Sequence, residues 1–447
     1  MERVLVFLLS IFLSAGLSAQ LPVREADSLV KVHTALLKST LDNKGALKNN
    51  YSIDLFGVSM YAGAAQKQKN EPEYRVNWSE LDLYRRVMHF ASREEAQAIM
   101  LAKKGGSFSP DIVRTYGNML YAMPLAPTTE KPLNGIRIAL DPGHMADDLE
   151  MGKIEQKFLD FTIRTGSDST LFIQKVQLVE GRLTWQTAEL LKLKLEKAGA
   201  IVMITRPGPG LCAFGTSFQD WRKQYYQQTL DSLVKLRGKN DPSISPVLSG
   251  KTDDRSVFRY VFRDVELRKR VELINAFKPD FTLMIHYNVD EKNTDWQKPT
   301  AKNFNMCFVG GSYQAGELSD PERRFDFLRQ LLSGDMESSI SFSGACARQF
   351  RDELKVPLAK PADALYLSSS CVKTAEEGVY ARNLGLTRLT HGTLVYGETL
   401  YQDNKKECLR LMETKPHPEF PQLSVSPRVA QVADAYYKAL LETVGRK

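Results

Sequence analysis

The sequence predicts an α/β protein: a mostly parallel sheet flanked by helices, with insertions and a helical N-terminal domain. Three observations carry this. The runs "IRIAL" (136–140), "IVMIT" (201–205) and "FTLMI" (281–285) are apolar, β-rich and of buried-strand length. Between them, "LTWQTAELLKLKLEKAG" and "VELRKRVELINAFK" repeat their apolar residues with the period of a helix. Strand, helix, strand, helix, strand is the order that builds a parallel sheet covered by helices.

From the N-terminus, Met1-Glu2-Arg3 leads into "VLVFLLSIFLSAGLSA", an apolar run that ends in small residues. It reads as a signal peptide over residues 1–19, with Leu17-Ser18-Ala19 before the cut and Gln20 as the mature start. The run is shorter than the ~20 residues a spanning helix needs, and no Cys lies near the cut. The expectation is a periplasmic or secreted protein with no stable membrane anchor after cleavage.

Residues 20–122 read as a helical N-terminal domain of unassigned role. "ADSLVKVHTALLKS" places apolar residues at 29, 32 and 36, and Ser79 and Ser92 each precede an acid three positions on, as capping boxes do. The stretch 123–134 holds three prolines and no periodicity, and reads as a linker. Residues 135–447 form the α/β domain, with insertions expected near 207–260 and 290–343, both rich in Gly, Ser, Asp and Arg. "KFLDFTIRT…TLFIQKVQLVEG" predicts an added β-hairpin, and "PRVAQVADAYYKALLETV" a C-terminal helix opened by Pro427.

Composition narrows the class. Apolar residues make up 43% and charged residues 25%, which is globular rather than disordered. The net charge of +7 is spread along the chain and does not single out nucleic acid. Five cysteines without C-x-x-C spacing argue against a thiolate metal site, and an odd count leaves at least one unpaired within the chain.

The chemistry gathers at the predicted strand ends. His144 follows the first strand through Asp141-Pro142-Gly143, and His286 ends the third in "LMIHYNVD". Glu398 follows the apolar "TLVY" through Gly397, and Glu180 opens the helix between the first two strands. Two imidazoles and a carboxylate make the open zinc site of hydrolases, and a second carboxylate beside it suits a general base. Taken singly, a His at a strand end is ordinarily a hydrogen-bonded structural group, and a Glu at a helix start complements the helix dipole. Their common placement is what points to a site.

On these residues the chain resembles the zinc-dependent N-acetylmuramoyl-L-alanine amidases that carry an Asp-Pro-Gly-His motif, from about Gly135 to the C-terminus. "IALDPGH" looks like the first ligand motif, "E…LLKLKLEKAGAIVMITR" the ligand-bearing helix and strand, and "LRKRVELINAFKPDFTLMIHYNVD" the stretch with the second metal His. "LVYGETLYQDNKKE" is similar to the catalytic-Glu segment, with Glu398, Asn404 and Glu407 in the family's spacing. The resemblance implies an amidase/phosphorylase-like fold, Zn²⁺ held by His144, Glu180 and His286, and Glu398 as the base. It implies peptidoglycan as the partner, with a protein activator as a further candidate.

Three features depart from the family. Met145-Ala146 replaces the usual Gly-Gly, the run from His144 to Glu180 is long, and Gly397 stands where an apolar residue is usual. Glu150 and Glu155 therefore remain rivals of Glu180 as the third ligand. "KQYYQQ" (223–228) is a candidate for lining a glycan groove or for a partly buried helix face. "RRFDFLRQLLSGDMESS", within the second insertion, reads as a helix that shields the metal until a partner moves it. The competing functions are another exported zinc peptidase or carboxypeptidase, and a wall-binding protein with a decayed site. Retention of all four candidate residues speaks against decay.

Overall fold

The computed structural model describes residues 21–103, 106–121, 125–165 and 172–445. The proposed signal peptide, residues 1–19, lies outside the described residues. Among those described, no helix is long and apolar enough to cross a membrane.

The N-terminal region begins with the helix Val23–Leu36 and then turns into a three-stranded antiparallel sheet, β1 (Tyr51–Asp54), β2 (Gly57–Met60) and β3 (Tyr74–Asn77). This sheet is an addition to the helices expected over residues 20–122. None of "YSID", "GVSM" and "YRVN" contains the continuous apolar run that marks the equally short strand in "IVMIT". Helices Leu81–Phe90, Arg93–Ala102 and Pro110–Tyr116 follow. Ser92 caps the second of them as expected, accepting a hydrogen bond from the Glu95 amide at 3.1 Å.

The main sheet has seven strands: β4 (Arg137–Pro142), β7 (Ile201–Ile204), β8 (Phe281–Asn288), β9 (Met306–Val309), β10 (Cys371–Lys373), β11 (Val379–Arg382) and β12 (Leu394–Tyr401). β5 (Phe158–Thr165) and β6 (Phe172–Val179) stand apart as the antiparallel hairpin that the sequence predicts. The order in the main sheet is β10-β11-β9-β12-β8-β4-β7. β4, β7, β8 and β12 run parallel, while β9 pairs antiparallel to β12 and β10 antiparallel to β11.

Helix Glu180–Lys197 covers β4, β7 and β8 and packs on the C-terminal helix Pro427–Gly445, which in turn meets helix Asp335–Leu354 over β9 and β12. Because side chains alternate along a strand, Leu283, Ile285 and Tyr287 enter this core, and the Tyr287 hydroxyl meets that of Thr187 at 2.7 Å. Met284 points the other way, toward Val271 of helix Arg263–Phe277. His286 shares that second face.

Residues 290–343 are built into the sheet and core rather than laid over the sheet edge. They supply β9, which lies between β11 and β12, and helix Pro321–Leu332, whose Phe325, Phe327, Leu328, Leu331 and Leu332 are fully buried. The sequence hid β9 because its four residues sit among polar loops. Residues 207–260 do form an added layer: helix Phe218–Arg237 joins Val257, Phe258 and Phe262 in a small core with Met145, Ala146 and Met151.

The N-terminal region is not tethered loosely. Its apolar residues belong to the same core as the sheet, with Tyr51 stacked on Phe327 at 5.7 Å and Tyr74 against Phe325 at 6.0 Å. All five cysteines are unpaired.

Candidate metal centre

Three neighbouring strand ends build the site. β8 lies between β4 and β12, with Pro142 opposite Ile285 and Glu398 opposite His286 in register. The chain after Pro142 turns sharply, and the Gly143 amide donates to the Ile285 carbonyl at 2.9 Å. Only glycine fits there, because a Cβ on residue 143 would lie 2.1 Å from Cε1 of His286. His144 then adopts φ +60°, a left-handed conformation that costs a non-glycine residue ~1–3 kcal/mol and needs support from its surroundings.

That support is visible. The Arg270 guanidinium donates to the carbonyls of Pro142 at 2.8 Å and His144 at 3.0 Å, and is itself held by Glu266 at 2.7 and 2.8 Å. From the other side, the Glu155 carboxylate accepts from the amides of Met145 at 3.1 Å and Ala146 at 2.9 Å, and meets His144 Nδ1 at 3.0 Å. Glu155 is the last residue of a short helix, Leu149–Glu155.

Glu180, buried at the first turn of its helix, faces both imidazoles. Its Oε1 is 3.3 Å from His144 Nε2 and 3.2 Å from His286 Nδ1, and it accepts from the Tyr287 amide at 3.2 Å. The Gln402 side chain donates to the other oxygen at 3.2 Å, and Lys157 Nζ lies 3.8 Å from it. One ligand atom from each of His144, Glu180 and His286 lies within 4.8 Å of the others. Glu150 is exposed on its helix, away from this cluster.

The donor set fits a metal ion on two counts. Tetrahedral bonds of ~2.0–2.1 Å set ligand atoms about 3.3 Å apart, which matches the two imidazole-to-carboxylate distances. The second count is the hydrogen bonding of His286. Burial drives this ring down to about 4, against the pull of Glu180, so it is neutral and carries one proton. With the proton on Nδ1, the buried Nε2, which has no partner, keeps an unmatched lone pair. With the proton on Nε2, a lone pair confronts the Glu180 carboxylate. A cation held against whichever nitrogen carries the lone pair relieves the conflict.

Charge balance agrees. Burial opposes a charged His144, yet the carboxylates of Glu180 and Glu155 outweigh it and lift the ring to about 9. Burial likewise opposes ionised Glu180, but His144 and Lys157 hold its carboxyl well below the usual range. The site is built to hold positive charge.

Glu398 sits beside this cluster. Tyr396, two residues earlier on the same face of β12, stacks on the His286 ring at 4.2 Å and 11°, which places Glu398 on the cluster's side of the sheet. Its Oε2 is buried without a partner, and burial together with the Glu180 charge lifts its carboxyl to about 7. A carboxyl in that state exchanges a proton readily near neutral pH. Gly397 has its own reason: a Cβ there would lie 2.2 Å from the Tyr436 hydroxyl of the C-terminal helix.

A cavity of about 210 Å³ opens on the site, lined among others by His144, Lys157, Phe258, Phe262, Arg263 and His286. A larger hollow of about 1010 Å³ lies on the opposite side of helix Arg263–Phe277, between Arg268, Lys269 and Glu272 and the N-terminal Phe90 and Arg93. None of the four candidate residues reaches it.

The other sequence candidates have structural places. Asn404 caps helix Lys405–Met412, accepting from the Lys406 and Glu407 amides, and Glu407 forms a buried ion pair with Arg428 at 2.6 Å. "KQYYQQ" lies on helix Phe218–Arg237 with Tyr225 exposed, not among the residues lining the site cavity. The shielding role assigned to 323–339 fails: those residues line the N-terminal interface and the back of the sheet, where their apolar side chains are buried. Sequence reasoning missed Lys157, Tyr396 and Arg270 as site residues. Only Arg270 left a trace, its i,i+4 spacing from Glu266.

No family model and no curated protein matches the chain. Among solved structures it is similar to the CwlD amidase of Clostridioides difficile, solved in complex with the GerS lipoprotein, at 15% identity over 70% of this chain and 100% of that one, TM-score 0.35. It is also similar to the catalytic domain of CwlV, an N-acetylmuramoyl-L-alanine amidase from Bacillus (Paenibacillus) polymyxa var. colistinus, at 13% identity over 70% and 99%, TM-score 0.36. AmiC2 of Nostoc punctiforme, another N-acetylmuramoyl-L-alanine amidase, matches at 13% identity over 70% and 99%, TM-score 0.34. At that level of likeness, what the chain does rests on its own residues.

Proposed function

We propose that this protein is an exported zinc-dependent N-acetylmuramoyl-L-alanine amidase, hydrolysing the amide between N-acetylmuramic acid and the L-alanine of peptidoglycan stem peptides. One observation carries the reading: His144, Glu180 and His286 converge from a β-turn, a helix start and a strand end, with Glu398 beside them on the adjacent strand. The four sequence motifs that resemble the amidase family contain these same residues, which is what selects the muramoyl amide among possible bonds.

When bound, the zinc supplies Lewis acidity, polarising the scissile carbonyl and making a water acidic enough to lose its proton near neutral pH. The residues of the chain do the rest. His144, Glu180 and His286 would hold the ion, and Tyr396 keeps the His286 ring from rotating by stacking on it. Glu398 takes the proton from the attacking water and returns it to the nitrogen of the departing L-alanine as the carbon–nitrogen bond breaks. Its elevated carboxyl suits both halves of that transfer. Lys157, on the cavity wall, offers a cation to the carboxylates of a stem peptide.

The test is a digest of purified peptidoglycan by the full mature chain, with and without chelator, followed by mass spectrometry of the soluble products. Free peptides beginning with L-alanine, lost on chelation and restored by zinc, support the amidase. Loss of terminal D-alanine alone would replace it with a carboxypeptidase, and no release at all would favour a wall-binding protein.

A further inference from the structure

We infer that Glu155 is a positioning residue that sets the proton and orientation of His144 for metal binding, a role that rests on the zinc reading above. The carboxylate does three things at once. Oε1 meets His144 Nδ1 at 3.0 Å, while Oε2 accepts from two successive amides, Met145 at 3.1 Å and Ala146 at 2.9 Å. All three partners are donors, and an ionised carboxylate has only acceptors to offer. Nδ1 is therefore the nitrogen that donates to Glu155, and Nε2, the atom 3.3 Å from Glu180, is the one a metal would engage in place of a proton.

The same contacts hold the turn. His144 sits at φ +60°, and nothing in the usual backbone preferences keeps it there. Glu155 anchors the two residues that follow it, and Arg270 anchors its carbonyl. The helix that delivers Glu155 is itself fixed: Asp148 caps it at the Met151 amide, 2.8 Å, and Gln156 ends it in a left-handed conformation at φ +62°. This brace lies in the stretch between His144 and Glu180 that is long for the family, with Met145-Ala146 at its contact point. Met145 and Ala146 are buried in the small core with Met151 of that helix, so turn and brace pack as one piece.

Gln at 155 cannot replace Glu. It has one acceptor oxygen for three donors, and its amide must turn toward either the backbone N–H groups or the imidazole. Facing the imidazole, it would move the proton to Nε2 and remove the metal's lone pair.

Zinc affinity of the full chain is measured by competition with a chromophoric chelator, for wild type, Glu155→Gln, and Glu150→Gln on the exposed side of the same helix. Loss of a second partner of this kind weakens binding by ~10–100-fold. The inference expects that loss for Glu155→Gln, no change for Glu150→Gln, and a lower kcat with KM unchanged for the zinc-saturated Glu155→Gln protein. Circular dichroism of the chelated proteins checks that each is folded. A folded Glu155→Gln protein that binds zinc within twofold of wild type would overturn the inference. So would a zinc-loaded wild-type crystal structure with Glu155 directly on the metal, a readout that needs no variant. Wild type that binds no zinc would instead defeat the metal reading itself.

Discussion

Replacing Gly143 by Ala tests the site's packing with a single methyl group. The backbone at 143 lies outside the left-handed region, so alanine meets no conformational strain there. The obstacle is the His286 ring: the added Cβ would sit 2.1 Å from Cε1, 2.4 Å from Nε2 and 2.5 Å from Nδ1, against an ordinary contact of 3.4 Å or more. The ring must retreat by more than about 1 Å, and Tyr396 stacked at 4.2 Å blocks its other face. A misplacement of that size costs on the order of 10²-fold in rate, and forcing a methyl into a filled core costs ~1–3 kcal/mol of stability. Zinc competition, kcat/KM on peptidoglycan and thermal melts of the chelated protein read the three consequences separately. Gly445→Ala, at the end of the C-terminal helix, serves as control, since a Cβ there meets nothing within 4 Å. A Gly143→Ala protein with wild-type zinc affinity and activity would refute the claim that His286 is locked between turn and ring.

Other predictions follow from neighbouring contacts. Glu398→Gln should lower kcat by ~10²–10⁴-fold, as removal of a general base does, with zinc binding retained. Because burial and Glu180 raise the Glu398 carboxyl to about 7, the base is lost by protonation as pH falls; a bound dication would stabilise its ionised form. The acid limb of kcat/KM should therefore lie at or below about pH 7, and should vanish in Glu398→Gln. Arg270→Met removes the ion-pair partner of the buried Glu266 and Asp141, and should cost ~3–5 kcal/mol in chemical denaturation while weakening zinc binding through the freed His144 carbonyl. Phe327→Ala, in the core shared with the N-terminal region, should cost ~3–5 kcal/mol yet leave zinc affinity unchanged.

Much of the candidate cluster was legible in the sequence because strand ends announce themselves. The apolar runs before His144 and His286 are long enough to identify, and the helix after Glu180 has a clear period. What was hidden is what depends on contact across the fold. Glu155 drew attention as an acid near His144, but only the path of its helix distinguishes a ligand from a residue holding the ligand. Tyr396 and Lys157 carry no local pattern at all. The fold was obscured in the same way where elements are short: β9 is four residues between polar loops, and the strands Tyr51–Asp54 and Gly57–Met60 are no longer. Burial of helix Pro321–Leu332 by the N-terminal region is likewise a matter of docking, and it turns a supposed lid into core.

Elemental analysis of the purified chain decides whether one zinc ion is held where His144, Glu180 and His286 meet. One zinc per chain is expected in wild type and in Glu398→Gln, with loss of the metal from folded Glu180→Ala and His286→Ala proteins. Wild type without zinc after incubation with the metal, or zinc retained in full by both ligand variants, would contradict it.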